Sequence, residues 1–412
     1  MSYPEVISTG SKGGIHSNRE GPLADYMRAA QARGFKFGSV KAVDNLGLLL
    51  EAKGIEPQTI TIARLGHAEL EAAPGMDGLP SDEVLRNMAA TLVMQVMNRS
   101  SQHERDNVDL WELWNEPRPH TVAGYVKLAR LMEFSMEIAA QHNLRIAIFS
   151  LNAGTPEWDE YLAILGTGVM QKAMQHHAWI ALHESLVGVP ANAPVDVGFG
   201  TSSITNPYTG ATSPVFADAG PYLFRYRFLL HAARELRIEL PPITISEWGC
   251  IPQGHLHSFP DEEVMRRFGW YDAEASRDGH NVGFHPFTVG QDWDSERWER
   301  YYPAILNHLD SVKTRVNAPR QTLPSPLPPP KPEFAKVRVN AARKWNLRIG
   351  PGTQFEIGGA ASSDTIFPVL ESVWGRTGTR VEAWYLVMPQ GYPPTLTAPL
   401  WIASSAVTAL NF

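Results

Sequence analysis

The chain lacks the features that mark several classes of protein. Its 412 residues contain one cysteine, Cys250, which excludes an intramolecular disulfide and a Cys-x-x-Cys metal site. No segment approaches the roughly 18 consecutive apolar residues of a membrane span. A net charge of −7 offers no electrostatic surface for nucleic acid or anionic lipid, so we expect neither nucleic acid nor membrane as a partner.

The sequence also lacks the signals of a leader and of a cofactor site. Residues 1–5 have no basic segment followed by an apolar one, so we identify no signal peptide in this chain. Cytoplasmic residence, export by another route and a removed leader remain open, and a secreted or cell-surface location is a hypothesis. No His, Asp or Glu group has metal-ligand spacing and no Gly-x-Gly-x-x-Gly follows a strand, so we expect no metal and no cofactor.

Proline divides the chain into two parts. Seven of the sixteen residues 317–332 are proline, a composition that predicts a semi-rigid polyproline II linker. The linker separates a large domain, residues 1–316, from a small one, residues 333–412. With 43% hydrophobic residues, the chain has ample apolar side chains for a sizeable core.

Short apolar β-branched runs alternate with longer helical patterns through residues 1–316. Eight strand-helix units predict a parallel sheet covered by helices, and the number eight favours a closed (β/α)₈ TIM barrel over an open sheet. The first strand is the least certain, and without it a seven-stranded or open sheet remains. The predicted strands are residues 5–9, 37–43, 59–65, 108–114, 145–151, 179–183, 243–246 and 282–289. The predicted helices are residues 22–32, 46–52, 81–101, 121–142, 158–176, 221–236, 261–277 and 295–312.

Two glutamates stand where predicted strands end. Glu116 follows the fourth strand in Trp-Asn-Glu-Pro, and Glu247 follows the seventh in Ser-Glu-Trp-Gly. The active site of a TIM barrel lies at the carboxyl ends of its strands, so these two carboxyls are predicted to face each other across the barrel mouth. A carboxyl held there suits acid/base or nucleophilic chemistry.

These two elements resemble the retaining glycoside hydrolases of clan A, the 4/7 superfamily of TIM barrels. The resemblance covers residues 1–316 at the level of the clan and does not select a family. It implies Glu116 as general acid/base with a raised pKa, and Glu247 as an ionised nucleophile. It also implies that Asn115 binds the sugar 2-hydroxyl. Retention requires the two carboxyls about 5–5.5 Å apart, whereas inversion requires about 6.5–9.5 Å.

Other residues near the predicted strand ends are candidates for substrate contacts. Arg64 could orient the nucleophile, or belong to a salt bridge at the rim. His183 matches the histidine of a His-x-Tyr element common in the clan, although Ser185 replaces the tyrosine. Glu184 is interpreted as a substrate or structural contact and Glu112 as a paired core group. Further candidates for binding sugar are His67, Asn152, Trp114, Tyr208, Trp248 and Trp293, the aromatic rings as stacking platforms.

The tail from residue 333 consists of short alternating strands with turn signals. Its Leu-Arg-x-Gly-Pro-Gly element resembles a bacterial SH3-like (SH3b) domain, a class that binds cell-wall peptides or glycans or serves as a spacer. The sequence therefore predicts a glycoside hydrolase acting on a β-linked poly- or oligosaccharide. The alternatives are a muramidase-like cell-wall hydrolase and a glycan-binding barrel without turnover. The sugar, its linkage and endo or exo action are not predicted.

Overall fold

The computed structural model describes most of the large domain and a large part of the tail. The described residues are 6, 8–66, 75–186, 213–214, 216–250, 259–290, 298–319, 336–340, 344–353, 355, 357–377, 380–387 and 400–410.

Eight parallel strands form a near-closed barrel in sequence order. Each strand pairs with the next, and bridges from Gly13 to Phe284 and from Ser17 to Val289 link the last strand back to the first. The predicted TIM-like barrel is therefore present. The strands are β1 (Ile15–Asn18), β2 (Ser39–Val43), β3 (Ile60–Arg64), β4 (Leu110–Glu112), β5 (Ile146–Leu151), β6 (Trp179–Ser185), β7 (Ile243–Cys250) and β8 (Asn281–Pro286).

The first strand differs from its prediction. It is Ile15–Asn18 and not residues 5–9, whose described members Val6, Ser8 and Thr9 lie outside any strand. Val6 instead packs against the apolar cluster inside the barrel, which includes Ile62 and Trp179. An apolar residue in this position suggested a strand, whereas the true strand carries His16, Ser17 and Asn18 and has no apolar alternation to reveal it.

Helices surround the barrel and begin at side-chain caps where the sequence offers them. The hydroxyls of Ser81 and Thr121 accept hydrogen bonds from backbone N–H groups in the first turns of α3 and α5. The predicted helix 158–176 is two helices, because the chain leaves helical geometry at Thr167 and Gly168. The helices are α1 (Leu23–Gln31), α2 (Gly47–Ile55), α3 (Asp82–Arg99), α4 (Gln102–Asn107), α5 (Val122–Gln141), α6 (Trp158–Gly166), α7 (Val169–Gln175), α8 (Tyr226–Leu236), α9 (Asp261–Ala275) and α10 (Tyr302–Val312). Within the described part of the chain, no helix is both long enough and apolar enough to cross a bilayer.

The tail forms a separate antiparallel sheet with a small core of its own. A second apolar cluster joins this sheet to the barrel, because Trp384 and Trp401 pack with Val122 and Val126 of α5 and with Ala163 of α6. The strands are β9 (Lys336–Val339), β10 (Trp345–Arg348), β11 (Ile357–Ala361), β12 (Ile366–Thr377), β13 (Arg380–Val387), β14 (Leu400–Ala403) and β15 (Val407–Leu410), in the spatial order β11-β10-β14-β13-β12-β9-β15.

Candidate active site

Glu116 and Glu247 meet at the barrel mouth. Glu247 lies within β7, and Glu116 lies four residues after the end of β4. The backbone N–H of Glu116 donates to the carbonyl of Ser150 on β5, and Glu116 has a left-handed φ of 48°. A carboxylate oxygen of Glu116 lies within 4.8 Å of one of Glu247. Two side chains separated by 131 positions in the sequence therefore face the same small volume.

Cationic side chains surround the carboxylate of Glu247. Arg64 donates to its Oε1, and the Nζ of Lys41 donates to the same oxygen at 3.2 Å. The Nδ1 of His183 lies 3.6 Å from the other oxygen, Oε2. Burial alone would raise the pKa of Glu247, but Arg64, His183 and Lys41 together hold that pKa well below its ordinary value. Glu247 is consequently an ionised carboxylate in a nearly dry site.

Glu116 is more accessible and is held by three hydrogen-bond donors. His183 Nδ1 donates to Oε1 at 3.0 Å, and Asn152 Nδ2 and Arg118 Nη2 donate to Oε2 at 3.0 and 2.9 Å. Burial raises the pKa of Glu116, yet the donors His183 and Arg118 favour the ionised form and leave the pKa below its ordinary value. The predicted rise in the pKa of Glu116 is therefore wrong, because the sequence did not reveal the donors that surround its carboxylate.

Arg64 contacts both Glu247 and Asn115, the residue before Glu116. Its guanidinium donates to the carboxamide oxygen of Asn115 as well as to Glu247. Asn115 is exposed, whereas Arg64 is largely enclosed at the end of β3. The side-chain amide of Asn115 is thereby fixed beside the nucleophile candidate with its N–H₂ group available to a ligand.

Two interior residues of the site, Lys41 and His16, were not predicted. Lys41 on β2 and Glu112 on β4 form a buried ion pair at 2.6 Å beneath Glu247, and His16 on β1 has Nε2 3.8 Å from Glu247 Oε1. Burial and the neighbouring cation Lys41 keep the pKa of His16 well below its ordinary value, so this ring is neutral. Glu112 is the paired core group that the sequence indicated. A lysine inside an apolar β-strand was the available signal for Lys41, whereas His16 was hidden by the misplaced first strand.

Trp248 has a structural position in place of the predicted one. Trp248 is fully buried among Phe268, Tyr271, Phe284 and Trp298, so it is wrong as a sugar platform. Its side chain points out of the barrel because the side chains of a strand alternate between the two faces and Glu247 points in.

Glu184 is likewise oriented away from the mouth. Its carboxylate accepts hydrogen bonds from the backbone N–H groups of Phe224 and Tyr226 and from the hydroxyl of Tyr271. Of its two predicted roles, this geometry supports the structural one. Of the remaining candidates, Trp114 is half-buried, and Trp293, Tyr208 and His67 lie outside the described residues.

The cluster has the spacing of a metal site but not its charge. In the described ranges, Glu116, His183 and Glu247 are the His and carboxylate residues whose ligand atoms lie within 4.8 Å of one another. Lys41 and Arg64 already neutralise Glu247, and their charges would repel a divalent cation at that carboxylate. The donor set fits proton transfer and nucleophilic attack better than metal binding.

Comparisons with known proteins return structural likenesses at low identity. No protein-family model and no curated protein matches the chain. A family 5 xyloglucanase from Paenibacillus pabuli aligns with a TM-score of 0.40 and 15% identity over 73% of this chain and 98% of its own. An endo-beta-mannanase/endo-beta-glucanase from Prevotella bryantii aligns with a TM-score of 0.40 and 14% identity over 74% of this chain. A beta-D-glucuronidase from Dictyoglomus thermophilum aligns with a TM-score of 0.45 and 11% identity over 77%.

The chain spans about half the length of two of these proteins, 49% of the Prevotella chain and 52% of the Dictyoglomus chain. Because each TM-score is below 0.5, none of these likenesses decides a function. The functional argument rests on the residues of the site.

Proposed function

We propose that the protein is a retaining glycoside hydrolase of the clan A type that cleaves a β-linked poly- or oligosaccharide by double displacement. The observation that carries this proposal is the pair Glu116 and Glu247, with carboxylate oxygens within 4.8 Å of each other. Such a close approach of the two carboxyl groups favours retention, for which they stand about 5–5.5 Å apart, over inversion, for which they stand about 6.5–9.5 Å apart.

The electrostatic setting supports the roles proposed for Glu247 and Glu116. Glu247 is the nucleophile because three positively charged or donor groups keep it ionised. Its Oε1 is held by Arg64 and Lys41, so Oε2, on the side of His183, is the oxygen that attacks the anomeric carbon. In this first step the anomeric carbon gains a bond to Oε2 and loses its bond to the leaving oxygen, which takes a proton from Glu116.

Glu116 has to be protonated in the first step and ionised in the second. A bound sugar excludes water from the mouth and thereby raises the pKa of Glu116 for the first step. The negative charge of Glu247 also raises that pKa, and this contribution disappears when Glu247 becomes an ester. The loss of that charge favours ionised Glu116, which then takes the proton from the water that attacks the anomeric carbon.

Residues around the pair supply substrate contacts in this proposal. Asn115, fixed by Arg64, donates to the 2-hydroxyl, a contact that strengthens in the transition state. Asn152 and His183 hold Glu116, and Trp114 offers a half-buried ring at the mouth. His67, Tyr208 and Trp293 complete the proposed sugar-binding set.

The tail is proposed to be an SH3-like module, and it motivates a second candidate function. The antiparallel sheet of seven strands is compatible with that resemblance, and a cell-wall or glycan ligand is the partner it implies. A tail of this kind favours a peptidoglycan hydrolase with the same two glutamates. The substrate therefore has to be found by experiment.

The test compares wild type, Glu116→Gln and Glu247→Gln on aryl β-glycosides, plant and microbial polysaccharides, and peptidoglycan. Both variants are expected to lose nearly all turnover, and azide is expected to rescue Glu247→Gly with release of the α-glycosyl azide, the opposite anomer. Equal activity in the three proteins would refute the catalytic assignment. Turnover of peptidoglycan alone would select the muramidase-like alternative, and saccharide binding without turnover would select the glycan-binding barrel.

A further inference from the structure

The carboxylate of Glu247 contacts a buried ion pair inside the barrel. Lys41 and Glu112 are both fully buried, with Nζ 2.6 Å from Oε2 of Glu112. The same Nζ lies 3.2 Å from Oε1 of Glu247, and Arg64 lies against Glu247 and 3.8 Å from Glu112. Lys41 therefore contacts the structural carboxylate and the reacting one at the same time.

The charges of this group balance only while Glu247 is ionised. Lys41 and Arg64 are two cations, and Glu112 and Glu247 are two anions. The nearby His16 is neutral at neutral pH, because burial and the neighbouring Lys41 keep its pKa well below the ordinary value. His285, whose pKa burial lowers to about 4, is neutral as well.

Formation of a glycosyl ester would break this balance. The ester oxygen carries no charge, so Glu112 would be the one anion of this group left against two cations, and ionised Glu116 would compensate Arg64 only from outside the group. An uncompensated buried charge is strongly unfavourable. The group consequently stabilises the free carboxylate of Glu247 relative to its ester.

We propose that Lys41, held in place by Glu112, is a positioning residue that accelerates breakdown of the glycosyl-enzyme intermediate. This inference rests on the proposed retaining function. In the breakdown step, the oxygen of water bonds to the anomeric carbon, the bond from that carbon to Oε2 breaks, and the electron pair returns to Glu247. The proton of the water passes to Glu116. Negative charge develops on Glu247 during this step, directly against Lys41.

The same charge has the reverse effect on formation of the ester. Lys41 stabilises the attacking carboxylate more than the ester that it forms, so it slows the first step while it speeds the second. A change that only loosened the site would slow both steps. This asymmetry separates the proposed role from a structural one.

The test variant is Lys41→Met combined with Glu112→Gln. The double change removes the ion pair together, so neither partner is left buried and unpaired, and Arg64 still balances Glu247. Glu112→Gln alone is the complementary variant, because it keeps Lys41 and removes its counter-charge. The control is Lys53→Met with Asp109→Asn, which removes another lysine-carboxylate pair, at 2.6 Å and partly buried, outside the site.

The probe is the 2,4-dinitrophenyl 2-deoxy-2-fluoro-β-glycoside of the sugar whose nitrophenyl glycoside wild type hydrolyses. The rate of inactivation reports ester formation, and the rate of reactivation after removal of the probe reports ester breakdown. In the double variant, reactivation is expected to slow roughly tenfold, equivalent to about 1.4 kcal/mol, while inactivation stays the same or accelerates. With the unmodified substrate, kcat and KM are expected to fall together. Glu112→Gln is expected to speed reactivation and to slow inactivation. The control pair is expected to change neither rate.

Two results would overturn this inference without affecting the proposed function. One is an equal loss in both rates in the double variant, and the other is reactivation of that variant as fast as in wild type. Glu112→Gln decides the question independently if the double variant does not fold, since unchanged rates in that variant contradict the proposal. Failure of the proposed function is a different result. In that case wild type itself hydrolyses no glycoside and gains no mass from the fluoroglycoside.

Discussion

His183 donates a hydrogen bond from Nδ1 to Oε1 of Glu116, at 3.0 Å, from a ring that is almost fully buried. The same nitrogen lies 3.6 Å from Oε2 of Glu247, so a single imidazole faces both carboxylates. A donor beside a carboxylate favours the ionised form. His183 therefore influences the protonation of both groups on which the proposed reaction depends.

The pH dependence of activity follows from these two carboxylates. In the proposed mechanism, turnover needs ionised Glu247 and protonated Glu116, so kcat/KM is expected to be highest between their two pKa values. Burial acts to raise both, yet surrounding donors and cations bring the pKa of Glu116 below its ordinary value and that of Glu247 well below it. We expect a profile of kcat/KM with its optimum on the acidic side. His183→Phe removes a hydrogen-bond donor to Glu116 and an imidazole 3.6 Å from Glu247, and is expected to move both limbs to higher pH by about one unit.

Arg118→Ala is the matched control for that profile. Arg118 is an exposed side chain that donates to Glu116, so its loss should move the basic limb by less and leave the acidic limb in place. The measurement is kcat/KM across pH for the three proteins. Limbs that do not move in His183→Phe would contradict the role of this histidine in setting the two pKa values.

Trp248 is expected to affect stability and not sugar affinity. The side chain is fully buried in an aromatic cluster, so Trp248→Ala should lower the free energy of unfolding by about 3–5 kcal/mol. Trp114→Ala, at the half-buried ring of the mouth, is expected to raise KM with a smaller loss of stability. Urea unfolding and steady-state kinetics of both variants provide the comparison. A higher KM with unchanged stability in Trp248→Ala would restore this residue as a substrate contact.

Glu184 should make stability depend on pH. Burial raises the pKa of this fully enclosed carboxyl to about 7, from an ordinary value of 4.5. The folded protein therefore binds this proton more tightly than the unfolded chain does. The contribution of Glu184 to the free energy of unfolding consequently falls as pH rises from 4.5 towards 7 and is constant above that range.

The side chain in Glu184→Gln cannot ionise. The variant should therefore lose this pH dependence, which amounts to about 1–3 kcal/mol of the free energy of unfolding. Urea unfolding of wild type and variant between pH 4 and pH 8, roughly the window set by the two pKa values, measures the difference. Glu51→Gln, a change of one exposed helical carboxyl, controls for loss of charge. The prediction is wrong if the two Gln variants follow wild type with the same slope.

The periodic parts of the fold were predictable because their patterns are local. Alternation of apolar runs with amphipathic stretches identified seven of the eight barrel strands. The predicted helices 81–101 and 121–142 are also present and are capped by Ser81 and Thr121. The strand at Ile15–Asn18 was missed because polar groups line the barrel mouth there, so apolar periodicity is absent. The break between α6 and α7 was missed because the helical pattern continues through Thr167 and Gly168.

The same distinction between local patterns and tertiary contacts applies to the residues of the site. Local sequence was enough to select Glu116 and Glu247, since each follows an apolar run and the order of strands in a barrel brings their ends together. The direction of a side chain and the charge around it depend on strand register and on residues distant in the sequence. Tertiary structure alone therefore buried Trp248 in the core and placed Lys41 and His16 beneath Glu247. It also brought His183 to Glu116, whose pKa is lowered by His183 and Arg118.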